Sequence, residues 1–151
     1  MDQLSMAIGM ALRSRKFAYA PYSKYKVGCA VIAINPDTRK RAVYSGCNIE
    51  NASYGLTICA ERVAIFKAVS NGYTWIETMV ICTEGNKGDV TSCGACRQVE
   101  YEFGGPRMDI MAIDETGEIK NRWLLKDLLP CAFGPASLGK GSVKWEKVAN
   151  I

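Results

Sequence analysis

Cys59, Glu61, Cys93 and Cys96 are the residues whose types and spacing suit chemistry in this 151-residue chain. Two short stretches carry them, Cys59-Ala60-Glu61-Arg62 and Cys93-Gly94-Ala95-Cys96-Arg97-Gln98. The chain has no histidine, which removes the commonest nitrogen ligand and the commonest general base. Metal binding and proton transfer therefore fall to Cys, Asp, Glu, Lys or Tyr. Cys93 and Cys96 are three apart, a spacing that puts both sulfurs on one face of a helix. With Cys59 they could hold one zinc ion and leave the fourth tetrahedral position open, as catalytic zinc requires. Such a zinc makes a bound water acidic near neutral pH. Glu61 follows the first thiol by two and sits in a nearly all-apolar run, where a carboxylate could shuttle a proton. A Cys-x-x-Cys pair alone also fits a structural zinc, a redox pair or two idle helical thiols. No thioredoxin-like strand pattern precedes the pair, which weighs against redox. A structural zinc would need a fourth ligand, and Cys47, Cys82 and Cys131 lack a paired spacing.

The elements that must position these groups follow from periodicity. Leu4, Ala7, Ile8, Ala11 and Leu12 predict a helix over 2–16. A strand is predicted over 26–34, the turn Asn35-Pro36-Asp37, and a returning strand over 41–47. After a polar loop, a helix is predicted from about Cys59 to Asn71, stopped by Gly72. Its apolar residues lie on most sides, which predicts burial rather than surface packing. A central strand is expected over 75–83 and a polar loop over 84–92. A second helix should begin near Cys93 and end at Phe103. Strands at 108–113 and 118–123, joined by Asp114-Glu115-Thr116-Gly117, should form a hairpin, followed by a short helical piece over 124–129. The segment 131–151 reads as mostly irregular. This order predicts an α/β fold, a five-stranded mixed sheet covered by helices, in one domain spanning 1–151.

Composition excludes several classes. The chain is 48% hydrophobic and 23% charged, ordinary for a folded domain of this length. No apolar run reaches the roughly 18–20 residues of a membrane span, and no signal peptide is visible. Seven cysteines without such a signal favour a reducing compartment, hence a cytoplasmic protein with thiols rather than disulfides. Cys29, Cys47, Cys82 and Cys131 are expected as buried small hydrophobes. The net charge is +4, in short interrupted groups of basic residues, which suits solvated surface better than a nucleic-acid footprint.

These motifs resemble the cytidine deaminases, in the small homotetrameric three-cysteine class. The zinc-deaminase signature is a ligand-x-Glu followed by Cys-x-x-Cys. The resemblance extends to Tyr19-Ala20-Pro21-Tyr22-Ser23-Lys24, to the stretch Gly46 to Tyr54, to Leu128-Leu129-Pro130 and to Phe133-Gly134-Pro135. It implies a three-layer α/β/α fold with the last strand antiparallel to its neighbour, as in the free-nucleoside branch. It implies one Zn2+ per chain on Cys59, Cys93 and Cys96, and hydrolytic deamination of cytidine and deoxycytidine to uridine and deoxyuridine plus ammonia. Glu61 would move the protons. Arg62 would donate hydrogen bonds to the thiolates.

The substrate contacts are implied by the same resemblance. Asn48 and Glu50 would bind the ribose. The Ala60 N–H would meet the base carbonyl, and the Thr91 carbonyl the amine. Tyr25 would lie near base and sugar, and Phe133 and Tyr54 would reach into a neighbouring subunit's site. Three positions depart from the family pattern. Tyr25 stands where Phe is usual, and Lys26 and Ser92 stand where Pro is usual. Ser92 frees one backbone N–H at the approach to the second helix. A related reading is deamination of a modified cytosine nucleoside or nucleoside antibiotic.

Overall fold

The computed structural model describes residues 2–86 and 90–139. Asp2 caps the first helix, α1 (Gln3–Arg15), by accepting from the Ser5 N–H at 3.0 Å. Arg13 and Arg15 lie in its last turn, where cations suit the dipole. The hairpin follows as β1 (Val27–Ile34) and β2 (Arg41–Cys47). Its turn is set by the Asn35 side chain, which accepts from the N–H groups of Asp37 and Thr38.

Next come α2 (Ala60–Ser70), β3 (Trp75–Thr83) and α3 (Gly94–Gly104). Gly72, at φ +84°, ends α2 in a left-handed turn open to glycine. The chain continues as β4 (Asp109–Ile113), β5 (Ile119–Leu124) and a short α4 (Leu125–Leu128). Asp114 builds the last hairpin turn by accepting from the N–H groups of Thr116 and Glu118 and from the Thr116 hydroxyl.

The sheet order is β2-β1-β3-β4-β5. Among the strand pairs of this sheet in the described residues, β3 and β4 are parallel and the others antiparallel, β5 to β4 included. The parallel pair needs a crossover, and α3 supplies it. Alternation along β1 divides the core in two. Cys29, Val31 and Ala33 pack with Ala60, Ala64, Ile65 and Ala68 of α2, while Ala30 and Ile32 pack with Ala7 and Ala11 of α1. The sheet is therefore sandwiched, with α1 on one side and α2 on the other. Gly28 lets α1 lie directly on the sheet, since a Cβ there would meet the backbone of Ala11 and Arg15.

Two expectations are corrected. α2 is not enclosed on most sides. Ala60, Glu61, Ala64, Ile65 and Ala68 form its buried face, and Phe66 and Lys67 face outward. Composition alone could not tell an apolar outer face from a core face. Cys131 is exposed and Cys47 half-buried, whereas Cys29 and Cys82 are buried. Cys131 has φ +54° in the turn after α4, which carries it off the core. The irregular reading of 131–151 meets a short 3-10 turn at Pro135–Leu138, and residues 140–151 lie outside the described residues. Within 84–92, residues 87–89 also lie outside them.

Candidate active site

Two helix starts supply the thiols. Cys59 and Cys93 are the N-cap residues of α2 and α3, both with extended backbone (ψ 152° and 166°). Neither thiol makes a capping hydrogen bond, but the first-turn N–H groups of each helix favour negative charge nearby. Cys96 follows one turn into α3, fully buried. The Sγ atoms of Cys59 and Cys93 are 3.9 Å apart and those of Cys93 and Cys96 3.6 Å. All three lie within 4.8 Å of one another. Sulfurs tetrahedrally placed about 2.3 Å from one zinc stand about 3.8 Å apart. The donor set and its spacing therefore fit zinc.

Charge around the thiols is arranged by Arg62 and Cys96. Arg62 donates from Nη2 to Cys59 Sγ at 3.3 Å. A hydrogen bond from Cys96, followed by that from Arg62, brings the Cys59 thiol down to about 5. Cys96 moves upward as the donor to that thiolate and through burial. Zinc displaces the remaining thiol protons on binding.

Glu61 lies in the first turn of α2, only 6% exposed. Burial pushes its carboxyl up to about 7, against a smaller opposing pull from Arg62. It can thus gain and lose a proton near neutral pH, as a proton shuttle must.

The expected sugar contacts are tied to the same place by backbone. Ile49 and Ile58 exchange two hydrogen bonds at 3.0 Å, which fastens the Asn48–Glu50 stretch beside the residue preceding Cys59. Asn48 accepts from the Val27 N–H at 2.9 Å and donates to the Tyr25 carbonyl at 2.8 Å. Glu50 accepts from the N–H groups of Tyr22 and Ser23 and from the Ser23 hydroxyl. Both side chains thus hold the loop that carries Tyr25, which is exposed. Ala60 is buried at the first position of α2. Thr91 accepts through Oγ1 from Arg97. Tyr54 (73% exposed) sits on a 3-10 turn with its ring edge-on to Tyr22. Phe133 (59% exposed) is held through its carbonyl, which accepts from Gln98 Nε2 at 2.9 Å.

One buried acid escaped the sequence reading. Glu100 is wholly buried on α3 and accepts from the Ser92 hydroxyl at 3.0 Å. Its position four residues after Cys96 was the available signal, because that spacing shares a helix face. Burial raises its carboxyl to about 8 from an ordinary 4.5. The sign follows directly. A carboxyl that binds its proton more tightly when folded stabilises the fold below the unfolded value, and that contribution is lost as pH rises through the folded one. In metal-free protein Glu100 therefore withdraws stability between about pH 4.5 and 8, while the lowered Cys59 thiol contributes in the opposite sense above about pH 5. Glu100→Gln should flatten that decline in urea unfolding curves measured across the range. An unchanged slope would show that Glu100 keeps its ordinary proton affinity.

Three thiols at two helix starts, with a buried carboxyl two residues beyond the first, define a metal-assisted hydrolase of the zinc-deaminase kind. The family sequence pattern described as cytidine and deoxycytidylate deaminase zinc-binding region matches residues 1–112. The chain is 40% identical over 131 residues to cytidine deaminase from Sporosarcina psychrophila, covering 87% of this chain and 91% of the relative. Its fold matches crystallised cytidine deaminase from Burkholderia pseudomallei with a TM-score of 0.75 at 40% identity, covering 88% of this chain and 100% of that one. For the Mycobacterium tuberculosis enzyme the TM-score is 0.69 at 34% identity, over 89% of this chain and 99% of that one. The chain belongs to the cytidine and deoxycytidylate deaminase family.

Proposed function

We propose that this chain hydrolyses the exocyclic amine of cytidine and deoxycytidine, giving uridine or deoxyuridine and ammonia. The observation that carries the reading is the cluster of Cys59, Cys93 and Cys96 beside buried Glu61. Cys59, Cys93 and Cys96 would hold a zinc ion, which when bound would supply an acidified water as the nucleophile. Glu61 would take one proton from that water and pass it to N3 as the water oxygen bonds to C4, then carry the remaining hydroxyl proton to the exocyclic nitrogen, which leaves as ammonia as the C4–N bond breaks. The Ala60 N–H accommodates the base carbonyl and the Thr91 carbonyl receives the amine. Asn48 and Glu50 bind the sugar hydroxyls, with Glu50 kept ionised by the Ser23 hydroxyl and neighbouring N–H groups. Tyr25 lies beside base and sugar. The test is product analysis with cytidine, deoxycytidine and free cytosine. Uridine and ammonia in equal amounts, with cytosine untouched, is the expected result. Turnover of cytosine alone, or of neither nucleoside, would overturn it.

Arg62 sets the acidity of the centre. Three thiolates on Zn2+ give a formal charge of −1, and guanidinium hydrogen bonds withdraw part of it. Arg62 also opposes protonation of Glu61. Its removal therefore raises the proton affinity of Glu61, and activity that needs the carboxylate falls at a higher pH. Arg62→Gln is expected to move the acidic limb of the kcat profile upward with zinc content retained. An unmoved limb would refute this role.

The protein works as one domain per chain, in the cytoplasm, as a homotetramer with shared sites and no nucleic-acid partner. No helix among the described residues is long and apolar enough to cross a membrane. Exposed Phe66 supports α2 as the seam, and exposed Phe133 and Tyr54 support reach into a neighbour's site. There they would shut water out around the base and sugar. Mixing Glu61→Gln subunits with Phe133→Ala subunits should create some sites intact in both residues, so activity should exceed the sum of the parents. Exchanging subunits without recovery would place Phe133 at its own chain's site or at none.

A further inference from the structure

The two residues before Cys93 are each held by a side chain from further along α3. Arg97 reaches back to Thr91 Oγ1 and also donates to the Leu128 carbonyl at 2.9 Å. Ser92, 1% exposed, donates from Oγ to Glu100 Oε2 at 3.0 Å. Glu100 is 0% exposed, and its Oε1 finds no hydrogen-bond donor among the described residues. A wholly buried carboxyl with one oxygen unmatched is costly, and an apolar side chain of similar size would fill this place more cheaply. Glu100 shares a helix face with Cys93 and Cys96, and it feels the charges of Glu61 and Arg97. Cys29, across on β1, is the further titratable group that senses it.

We propose that Glu100 is a positioning residue which, through Ser92, fixes the chain leading into α3 and thereby aims the Cys93 thiol and the Thr91 carbonyl. The part concerning Thr91 rests on the deaminase reading above. The physical need is local. A proline at 92 would lock φ near −65°, whereas serine leaves that torsion soft immediately before a metal ligand. The Ser92–Glu100 hydrogen bond removes this freedom from inside the fold. Burial keeps Glu100 largely protonated at neutral pH, so glutamine, with one carbonyl acceptor and no charge, is its close counterpart. Methionine fills the space without accepting the bond.

The test compares Glu100→Met, Glu100→Gln and Ser92→Ala in the zinc-loaded protein. It reads zinc content, amide hydrogen exchange over residues 90–96, and KM and kcat for cytidine. Glu100→Met and Ser92→Ala are each expected to speed exchange about tenfold, the scale of one hydrogen bond, with zinc retained. KM should rise by about the same factor while kcat changes less. The double variant should be no worse than either single one, because both break one link. Glu100→Gln should stay within about twofold of the parent. The proposal is overturned if Glu100→Met leaves exchange unchanged, or if Glu100→Gln is impaired as much as Glu100→Met. It is also overturned if Glu100→Met lowers thermal stability while exchange and KM keep their parental values. A parent that turns over no nucleoside would defeat the deaminase reading alone, since exchange and zinc content still decide the role of Glu100.

Discussion

Glu61→Gln is expected to fold, keep its zinc and lose nearly all turnover, by about 10²–10⁴-fold in kcat. The amide matches the carboxyl in shape and leaves the buried face of α2 packed as before. It cannot take a proton from water or return one to a leaving amine. Its neutral charge also suits the buried position, where desolvation already favours the protonated acid. Stability should therefore stay the same or rise while activity collapses. A Glu61→Gln protein with more than about a tenth of parental kcat would contradict the proton-shuttle role.

Cys96→Ala should remove both metal and activity. The other two thiols remain, but Cys93 is exposed and Cys59 half-buried, and two sulfurs alone leave two positions to water. Cys96 is the fully buried ligand and reaches the centre from one turn inside α3. Zinc below about a tenth per chain and turnover below about a thousandth of the parent are expected. A ligand that binds only the native state stabilises it by mass action, about 2.7 kcal/mol at a hundredfold excess over Kd. Chelator should therefore lower the Tm of the parent and leave that of Cys96→Ala unmoved. A variant that still gains stability from added zinc would show that another group completes the centre.

Strand and helix positions were legible wherever one period dominated. β2 and β3 occupy the residues their patterns indicate, and the helix starts at Cys59 and Cys93 fall within one residue of expectation. The resemblance rests on motifs around those same starts, because a metal site needs fixed residue types at fixed spacing. What stayed hidden depends on the third dimension. The outward turn of Phe66 is invisible in a helix whose residues are mostly apolar. Exposed Cys131 sits in a left-handed turn that its neighbours do not announce. Glu100 looks like a surface acid until the face shared with Cys96 is seen to point inward. The loop-holding bonds of Asn48 and Glu50 join residues more than twenty positions apart, which no local pattern reveals.

The most direct measurement is a zinc titration of metal-depleted protein with cytidine turnover followed at each step. Turnover should rise in proportion to bound zinc and level off at about one ion per chain. Glu61→Gln should take up the same zinc and remain inactive throughout. Turnover at full rate before zinc is added, or zinc filling one site per chain with no deamination of cytidine or deoxycytidine, would contradict the account.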